Sequence, residues 1–469
     1  MLRKTGAIAS SLALLLLTGC ANWAPSALPG SELTPFTAPR GWATEQPTGT
    51  APANAAWWSH FNDPLLQDLR EQALRANPSL LQAEAALRQG RALVSVGGAA
   101  LLPQLGSRLS AQHQGSNSQS QGNLFAAGFD ASWELDLFGA GHQAVAALQA
   151  GAEASRAQLG AAQTSLSAEV ALRYIALRGL QARIQVNNNN LASQQQTLAI
   201  TDWRAQAGLL SQLELAQARS AAAQTKALLP ALRTGALQAQ HALAVLTGQP
   251  PGALKSLLEA PAPLPTPDAA LALSLPADTL RQRPDVQEAE WQVRAAESRV
   301  QEAEARRWPS LQLSGYLGLQ ALSLGSLGTG PVLSSLLAAA RWPVFDGGAS
   351  RAQVSVQQAA LDQARSRYRA VLLTALQEVE DALVALLGSE ERSLQLTEAA
   401  AAAQAAAQLA GQRFRAGLAD FQTVLSTERA QLATQDAWTT ARTDWSADHV
   451  RLFKALGGGW RPDDPAKAP

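Results

Sequence analysis

Apolar residues follow two periods along the chain, one typical of helices and one typical of strands. In the second half, Val286, Val293 and Val300 recur every seven residues. Alanines follow each of these valines at a spacing of three, and this pattern predicts a coiled-coil seam with small residues on one side. The other residues of this seam and of its counterpart in the first half are Ala289, Ala296 and Ala303, then Leu80, Leu87 and Val94 with Ala83, Gly90 and Gly97.

Two stretches predict unusually long helices. Residues 141–207 and 348–416 contain no proline and little glycine, and at 1.5 Å per residue each helix is about 100 Å long. Helices of this length normally need coiled-coil partners, although buried helices of a soluble bundle are the alternative. The run Asn187 to Asn190 indicates that part of this surface faces water.

Shorter helices are predicted upstream from their first residues. Asp63 precedes Pro64, and Asn77 precedes Pro78. Asp and Asn are favoured caps, and proline at the first helical position loses no hydrogen bond. We therefore expect a helix to begin at each proline.

Between the helices the apolar period changes to two, which is typical of strands. From 125 to 137 the odd positions are apolar, and the even positions from 128 onward are Gly128, Asp130, Ser132, Glu134 and Asp136. Segments 104–112, 311–319 and 334–344 also alternate, and the last places Arg341 on its polar side. Residues 113–124 are predicted to be a loop. An ordinary half-buried antiparallel sheet gives the same alternation.

The two halves of the chain are predicted to be a repeat. Residues 77, 78, 83, 84 and 103 (Asn, Pro, Ala, Glu, Pro) recur 206 positions later as Arg, Pro, Ala, Glu and Pro. Phe138 recurs as Phe345, and the run at Arg204 to Gly208 recurs 209 positions later. Each half is expected to contain a helix, two strands, a long helix, a turn and a helix.

This repeat sets the predicted domain boundaries. The segments are a signal peptide at 1–19, a lipidated Pro-rich tether at 20–56, a first repeat at 57–248, a Pro-rich linker at 249–278, a second repeat at 279–460 and a tail at 461–469.

The amino terminus predicts export and lipidation. Arg3 and Lys4 precede an apolar run that is about half the length needed to cross a bilayer. The run ends in Leu-Thr-Gly-Cys, with Cys20 as the only cysteine, and this sequence resembles the bacterial lipobox. The resemblance implies a covalent lipid on Cys20 and, because Asn22 follows, sorting to the outer membrane. A signal peptide that merely contains a cysteine is the alternative.

Composition excludes several classes of protein. The 469 residues carry 37 basic and 37 acidic side chains, so nothing favours nucleic acid as a partner. One cysteine excludes intramolecular disulfides and cysteine-based metal sites. The five histidines are scattered, so we expect no metal and no cofactor other than the lipid.

A membrane location for such a chain predicts an oligomer. With no other apolar helix long enough to cross, the strands must span as a closed barrel, because open sheet edges cannot lie in lipid. Four strands cannot close a barrel, but three chains supply about twelve. The sequence therefore predicts a mainly helical protein with a trimeric membrane barrel.

Several runs identify the chain as similar to a known family. They are Trp57-Trp58, Phe61 to Leu65, Phe129 to Gly139, Arg283 to Val286, Trp308 to Leu311, Phe345 to Gly348, Arg413 to Gly417 and Leu456 to Trp460. In order and spacing they closely resemble the outer-membrane efflux proteins (TolC- and OprM-like channels), in particular the NodT-type lipoprotein branch.

This resemblance implies an exit duct for efflux. It implies a homotrimer in the outer membrane of a Gram-negative bacterium, with a twelve-stranded barrel and a helical periplasmic tunnel. It also implies a periplasmic adaptor and an inner-membrane transporter, commonly of the proton-driven RND class, as partners. The lumen would then be lined by Asp130, Ser132, Glu134, Asp136 and Arg341.

The resemblance places the periplasmic tip at Gly208 and Gly417. Related tips usually carry aspartates after the second glycine, whereas this chain has Val424-Leu425-Ser426-Thr427. The candidates for a constriction are Glu214, Asp420, Thr423 and Ser426. We therefore do not expect the usual acidic, cation-sensitive gate.

Three other functions remain open at this stage. An enzyme could use Asp130, Glu134 and Asp136, since alternate strand residues lie about 7 Å apart, but no aromatic platform shares their face. A coiled-coil scaffold lipoprotein would explain the helices but not the charged strand faces. A duct for type I protein secretion is the third. The substrate, whether drug, metal ion, signal or peptide, is not indicated.

Overall fold

The computed structural model describes residues 51–52, 57–116, 119–267, 273–274 and 277–460. The signal peptide, Cys20, most of the tether and the tail at 461–469 lie outside the described residues.

Long helices dominate the fold. The helices are α1 (Pro64–Ala76), α2 (Pro78–Ala100), α3 (Ala140–Gln206), α4 (Gln212–Leu246), α5 (Lys255–Leu258), α6 (Pro284–Ala305), α7 (Ala349–Arg415) and α8 (Phe421–Ala455). Helices α3 and α7 have 67 residues each, and α4 and α8 have 35 each. In the part of the chain that is described, no helix combines the length and the apolar character needed to cross a membrane.

One antiparallel sheet accompanies the helices. Its strands are β1 (Gln104–Ser116), β2 (Gln119–Leu135), β3 (Ser310–Ala321) and β4 (Val332–Arg341), hydrogen-bonded in the order β1-β2-β3-β4. The chain therefore makes two hairpins, one from each half, and β2 pairs with β3 to join them.

Contacts divide the described chain into two units. The first contains residues 95–147 and 296–365, and therefore the whole sheet. The second contains residues 51–94, 148–295 and 366–460.

In the second unit, the predicted caps begin the first two helices. The Asp63 carboxylate accepts hydrogen bonds from the backbone N–H groups of Leu65 and Leu66 at 3.0 and 3.1 Å. Its other oxygen accepts one from the Tyr174 hydroxyl at 2.9 Å. Burial raises the pKa of Tyr174 to about 12, so this hydroxyl remains a donor. Asn77 likewise accepts from Ser79 at 2.9 Å.

The linker at 249–278 is not only a break between the halves, because its described part packs into the second unit. Leu258 in α5 is fully buried, and its carbonyl accepts a hydrogen bond from Gln181 Nε2 at 2.7 Å. Arg178, only 2% exposed, donates to the Ala260 carbonyl at 2.8 Å. Proline has no N–H to donate, so carbonyls in this proline-rich segment lack local hydrogen-bond donors. The buried Arg178 and Gln181 side chains of α3 donate to two of these carbonyls instead. The tether is also not wholly free of contacts, since residues 51–52 pair with 273–274.

The predicted helix seam is buried, and the asparagine run of α3 is partly solvated. Val286, Val293 and Val300 are at most 2% exposed, as the heptad pattern predicts. Asn189 is exposed and Asn188 is partly exposed, whereas Asn187 and Asn190 are 1% and 4% exposed. One side of this run therefore faces water, as predicted, and the other side is buried.

Several strand boundaries also differ from the prediction. Residues 113–116 and 119–124 belong to strands, so the predicted loop is mostly paired, because the backbone pairing of β1 with β2 continues through Gln114 with Gly122 to Ser116 with Gln119. β2 ends at Leu135 rather than 137, because Asp136 accepts a hydrogen bond from the backbone N–H of His142 and so caps α3. β4 ends at Arg341 rather than 344, because Pro343 has no N–H to donate.

The Asp63 contacts give a stability prediction. Asp63→Ala removes a helix cap and the acceptor of a buried hydroxyl, so we expect the free energy of unfolding to fall by about 1–3 kcal/mol. Urea denaturation followed by circular dichroism measures this. Asp68→Ala, which removes an exposed carboxylate from the same helix, is the matched control and should change stability by no more than about 0.5 kcal/mol. Equal losses in both variants would contradict the assigned role.

Candidate functional site

The sheet has one polar and one apolar face, and its register aligns each face across all four strands. Ser132 lies between Gln104 and Ser314, and Glu134 lies opposite Gln312. Arg341 lies opposite Ser310, which is on the same face as Gln312. Asp130, Ser132, Glu134 and Arg341 are therefore brought to one face, as the alternation predicts. Asp136 is not among them, because the chain leaves the sheet one residue earlier.

Two further residues of the polar face, Arg108 and Tyr316, make contacts that the alternation in the sequence did not predict. Arg108 on β1 forms an ion pair with Asp130 on β2, with Nε and Oδ2 3.1 Å apart. The Tyr316 ring lies beside two glycines of this face, because a methyl group at Gly128 would be 2.9 Å from Tyr316 Cε2 and one at Gly318 would be closer still. The polar face therefore carries cations, carboxylates and the Tyr316 ring, which lies opposite Asp130, although no aromatic side chain was expected on the face of Asp130.

The apolar face is uncovered in the chain. Leu105, Leu109 and Leu336 are 75%, 83% and 77% exposed. Leucines that expose this much surface in a row are unusual for a protein in water, since large apolar patches mark an interaction or membrane surface. This face of the sheet therefore requires an apolar environment.

Tryptophan side chains form hydrogen bonds that link each hairpin to the end of the helix before it. The Trp133 indole donates a hydrogen bond to the carbonyl of Leu101 at 2.9 Å, and the Trp342 indole donates to that of Arg307 at 3.3 Å. These carbonyls lie one and two residues after a helix end, where the chain turns toward a strand. Phe138 also stacks on Trp308 with ring centroids 5.7 Å apart. The junctions between helices and strands are thus held by aromatic side chains.

Two equivalent turns close the long helices at their far ends. Gly208 and Gly417 have φ of +74° and +75°, a conformation that L side chains rarely adopt. After each glycine a leucine N–H returns to the helix, from Leu209 to the Arg204 carbonyl and from Leu418 to the Arg413 carbonyl, both at 2.8 Å. This is the Schellman arrangement, which ends a helix by using its last carbonyls. A turn is therefore present at each of the two predicted glycines.

The candidate carboxylates of the turns serve as helix caps. Glu214 accepts a hydrogen bond from the backbone N–H of Ser211 at 2.7 Å and completes a capping box. Asp420 accepts from the backbone N–H of Thr423 at 2.8 Å. Hydrogen bonds from the Thr423 side chain and from this N–H hold the pKa of Asp420 below its usual range. The Ser426 hydroxyl donates to the Thr423 carbonyl. Glu214, Asp420 and Thr423 thus lie at the cap or in the first turn of α4 or α8, and Ser426 lies in the second turn of α8.

Arg204 joins the two turns. Its Nη2 donates to the carbonyls of Phe414 and Arg415 at 2.9 and 3.1 Å, and its guanidinium carbon lies 4.5 Å from the Phe414 ring centroid. Below it is a buried cluster of Ala218, Ala221, Ala410, Phe414, Phe421, Val424 and Leu425. The sequence reasoning noted Arg204 only as part of a repeated run, since a contact across 210 residues leaves no local pattern.

A buried carboxyl lies between α3 and α8. Glu428 is 7% exposed, and its carboxylate accepts a hydrogen bond from the Thr197 hydroxyl at 2.7 Å. Burial raises the pKa of Glu428. The described residues contain no group of three or more His, Cys, Asp or Glu side chains that could hold a metal ion.

The chain is similar to known proteins over most of its length. The profile of the family described as outer membrane efflux protein matches residues 69–249 and 275–458. The pyoverdine export outer membrane protein OpmQ of Pseudomonas putida is 32% identical over 446 residues, covering 92% of this chain and 93% of that protein. Nodulation protein T of Rhizobium leguminosarum bv. trifolii is 27% identical over 466 residues, covering 96% of each.

A solved structure has the same fold. The structure of the outer-membrane channel OprN superposes with a TM-score of 0.84 at 33% identity, covering 91% of this chain and 98% of that one. The likeness thus extends over nearly the whole of both chains.

Two similar glycine substitutions are predicted to change the free energy of unfolding in opposite directions. Gly417→Ala places a Cβ at positive φ and should lower the free energy of unfolding by about 1 kcal/mol. Gly411→Ala lies inside α7 with open space around it and should raise it by about 0.5–1 kcal/mol. Denaturant titration of both variants measures the difference. A stabilising Gly417→Ala would contradict the role of the left-handed glycine.

Proposed function

The chain belongs to the outer membrane efflux protein family, and we propose that it works as a homotrimer whose sheets form one twelve-stranded barrel. It is an outer-membrane efflux channel, the exit duct of an efflux pump, and its work is transport rather than catalysis. Its partners are an adaptor and an inner-membrane transporter, and we propose that the transporter is of the RND class.

The open sheet supports the trimer. In the described chain, β1 and β4 are edge strands, and an unpaired edge cannot lie in lipid because its N–H and C=O groups would have no partners. Pairing β4 of one protomer with β1 of the next satisfies both edges, and three protomers reach a barrel of about twelve strands. This single observation carries the proposal.

Equivalent contacts support the twofold repeat and its boundaries at 57–248 and 279–460. Trp133 and Trp342 bond to carbonyls at Leu101 and Arg307, displaced by 209 and 206 residues. At the other end of each repeat, Asn77 donates to the Leu246 carbonyl at 2.9 Å and Arg283 to the Ala455 carbonyl at 2.7 Å. Both kinds of contact link the same elements in each half.

We assign the polar face of the sheet to the lumen. In a threefold-symmetric trimer, Asp130, Ser132, Glu134 and Arg341 would each form a ring around the lumen. These polar rings would keep the lumen hydrated and would select among charged solutes. The exposed leucines of the other face would then contact lipid. Asp136 lies just past the strand, so we place it at the rim of the lumen.

The Gly208 and Gly417 turns are proposed to form the periplasmic tip, where cargo enters. Glu214, Asp420, Thr423 and Ser426 lie at the starts of the helices that follow. The carboxylates of Glu214 and Asp420 accept hydrogen bonds from backbone N–H groups. They are therefore poorly suited to form a ring of free carboxylates around the entrance. This supports an entrance without the usual acidic gate.

The experiment that tests the channel is conductance. Purified trimers in a planar bilayer should carry current, and Glu134→Gln should shift the reversal potential in a salt gradient toward less cation preference, because three carboxylates leave the lumen. Glu71→Gln, an exposed carboxylate of α1 outside the sheet, is the control and should leave the potential unchanged. Correctly assembled trimers without current would favour the scaffold function instead.

Lipidation of Cys20 is a separate proposal. Cys20→Ser should abolish incorporation of labelled palmitate, while the protein remains in the outer-membrane fraction because the barrel holds it there. Asn22→Asp, which keeps the cysteine, should keep the label. Full labelling of Cys20→Ser would refute the assigned site.

A further inference from the structure

One tyrosine of the polar face lies along the sheet instead of standing away from it. Side chains of a strand normally stand roughly perpendicular to the sheet. The far end of the Tyr316 ring instead lies over Gly318, two residues farther along β3, because a methyl group on Gly318 would be 2.6 Å from Tyr316 Cζ. The ring therefore occupies the place that the next side chain of the same face would fill.

Two glycines directly opposite each other form the floor under this ring. Gly128 of β2 pairs with Gly318 of β3, and a methyl group on Gly128 would be 2.9 Å from Tyr316 Cε2. Among the residues of β3, which the structure describes in full, Gly318 alone is buried. It has no side chain of its own, and the nearest side chain over it is the Tyr316 ring. The ring thus covers backbone that would otherwise be bare.

The backbones of β2 and β3 also approach each other closely at this glycine pair. A methyl group on Gly128 would be 2.7 Å from the Leu317 carbonyl oxygen, and one on Gly318 would be 2.7 Å from the Ala127 carbonyl oxygen. Glycine within a strand often marks such a close approach. A side chain at either position must therefore lift the ring off the sheet and also strain the two strands. Removing the ring separates these two effects.

A third glycine of the polar face has no such neighbour. Tyr316 pairs with Asp130, and Asp130 pairs with Gly106 of β1. In the described chain, a methyl group on Gly106 would have the Asp130 carbonyl oxygen, at 3.9 Å, as its one heavy-atom neighbour within 4 Å. A small side chain therefore fits at Gly106, whereas the pair at Gly128 and Gly318 requires glycine.

We infer that Gly128 and Gly318 set the width of the lumen at this level by holding Tyr316 flat against the wall. The inference rests on the proposed function, since it needs the polar face of the sheet to line a shared lumen. In a threefold-symmetric barrel three such rings lie at one level, and rings that stood up from the wall would point toward one another. Laid flat, they leave the lumen open. The two glycines are thus positioning residues, which act on the path of the cargo through the ring.

Labelling of a cysteine beyond the ring measures the width of the lumen. Gln312 is exposed and lies four residues before Tyr316 on the same face of β3, on the side where α6 leads into the strand. In the proposed channel the helices are periplasmic and the hairpin ends face the exterior. A bulky, membrane-impermeant maleimide added to intact cells must then pass the level of Tyr316 to reach Gln312→Cys. The parent chain gives the background, since Cys20 is its only cysteine.

Raised rings should obstruct this path. With Gln312→Cys as the reporter, Gly318→Ala should slow labelling at least about threefold, because three raised rings narrow the lumen for a bulky solute. Gly106→Ala is the matched control, which adds one methyl group to the same face without meeting a ring, and it should leave the rate unchanged. Gly318→Ala/Tyr316→Ala removes the ring that the methyl group would lift and should restore the rate. Tyr316→Ala alone should raise the rate by less than about twofold, because a ring on the wall occupies little of the lumen.

Four results would be decisive. An assembled Gly318→Ala trimer that is labelled at the unchanged rate would overturn the inference. Slower labelling that Tyr316→Ala does not restore would also overturn it, because strain in the strands would then be the cause. If Gly318→Ala does not assemble, Tyr316→Ala alone decides: a rise of about twofold or more would show that the wild-type ring stands in the lumen, and a smaller rise supports the flat ring. An assembled Gln312→Cys trimer that is not labelled at all, with no other substitution, would instead count against the proposed lumen.

Discussion

The need to pair the backbone groups of every strand governs this structure. The antiparallel sheet of the described chain has four strands, with an unpaired edge on either side and exposed leucines on one face. Water disfavours the leucines, and lipid disfavours the open edges. The proposed trimer would satisfy both demands by closing the sheets of several chains into one barrel. Hydrogen bonds from Trp133 and Trp342 hold each hairpin to the end of the helix before it.

Much of the fold could be predicted because its signals are local. Absence of proline predicted α3 and α7 to within one or two residues, and Asp63 and Asn77 predicted the helix starts. Alternation predicted which side chains of the sheet share a face. Errors arose where one residue changes the path of the backbone. Asp136 caps α3 and leaves the strand, and Pro343 ends β4, although both continue the alternation in the sequence.

Long-range contacts could not be predicted in the same way. Arg204 contacts carbonyls about 210 residues away, and Arg178 holds the linker through the Ala260 carbonyl. The asparagine run of α3 shows a related limit. Its sequence predicted correctly that part of it faces water, as Asn189 does, but did not indicate that Asn187 and Asn190 are buried. Four identical residues in a row carry no periodicity from which the buried side could be chosen.

The contacts of Asn77 and Arg283 have a consequence for how the two halves respond to salt. Both donate to a carbonyl at the end of a long helix, but Arg283 also forms ion pairs with Asp285 and Glu378 at 2.7 and 2.6 Å, whereas the Asn77 amide is uncharged. The second junction is therefore also linked to α7 through charged groups, whereas the first is made by neutral amides, Asn77 with the Leu246 carbonyl and Gln249 with Gln72. Dissolved salt screens the charges of the second junction and has no such effect on the first.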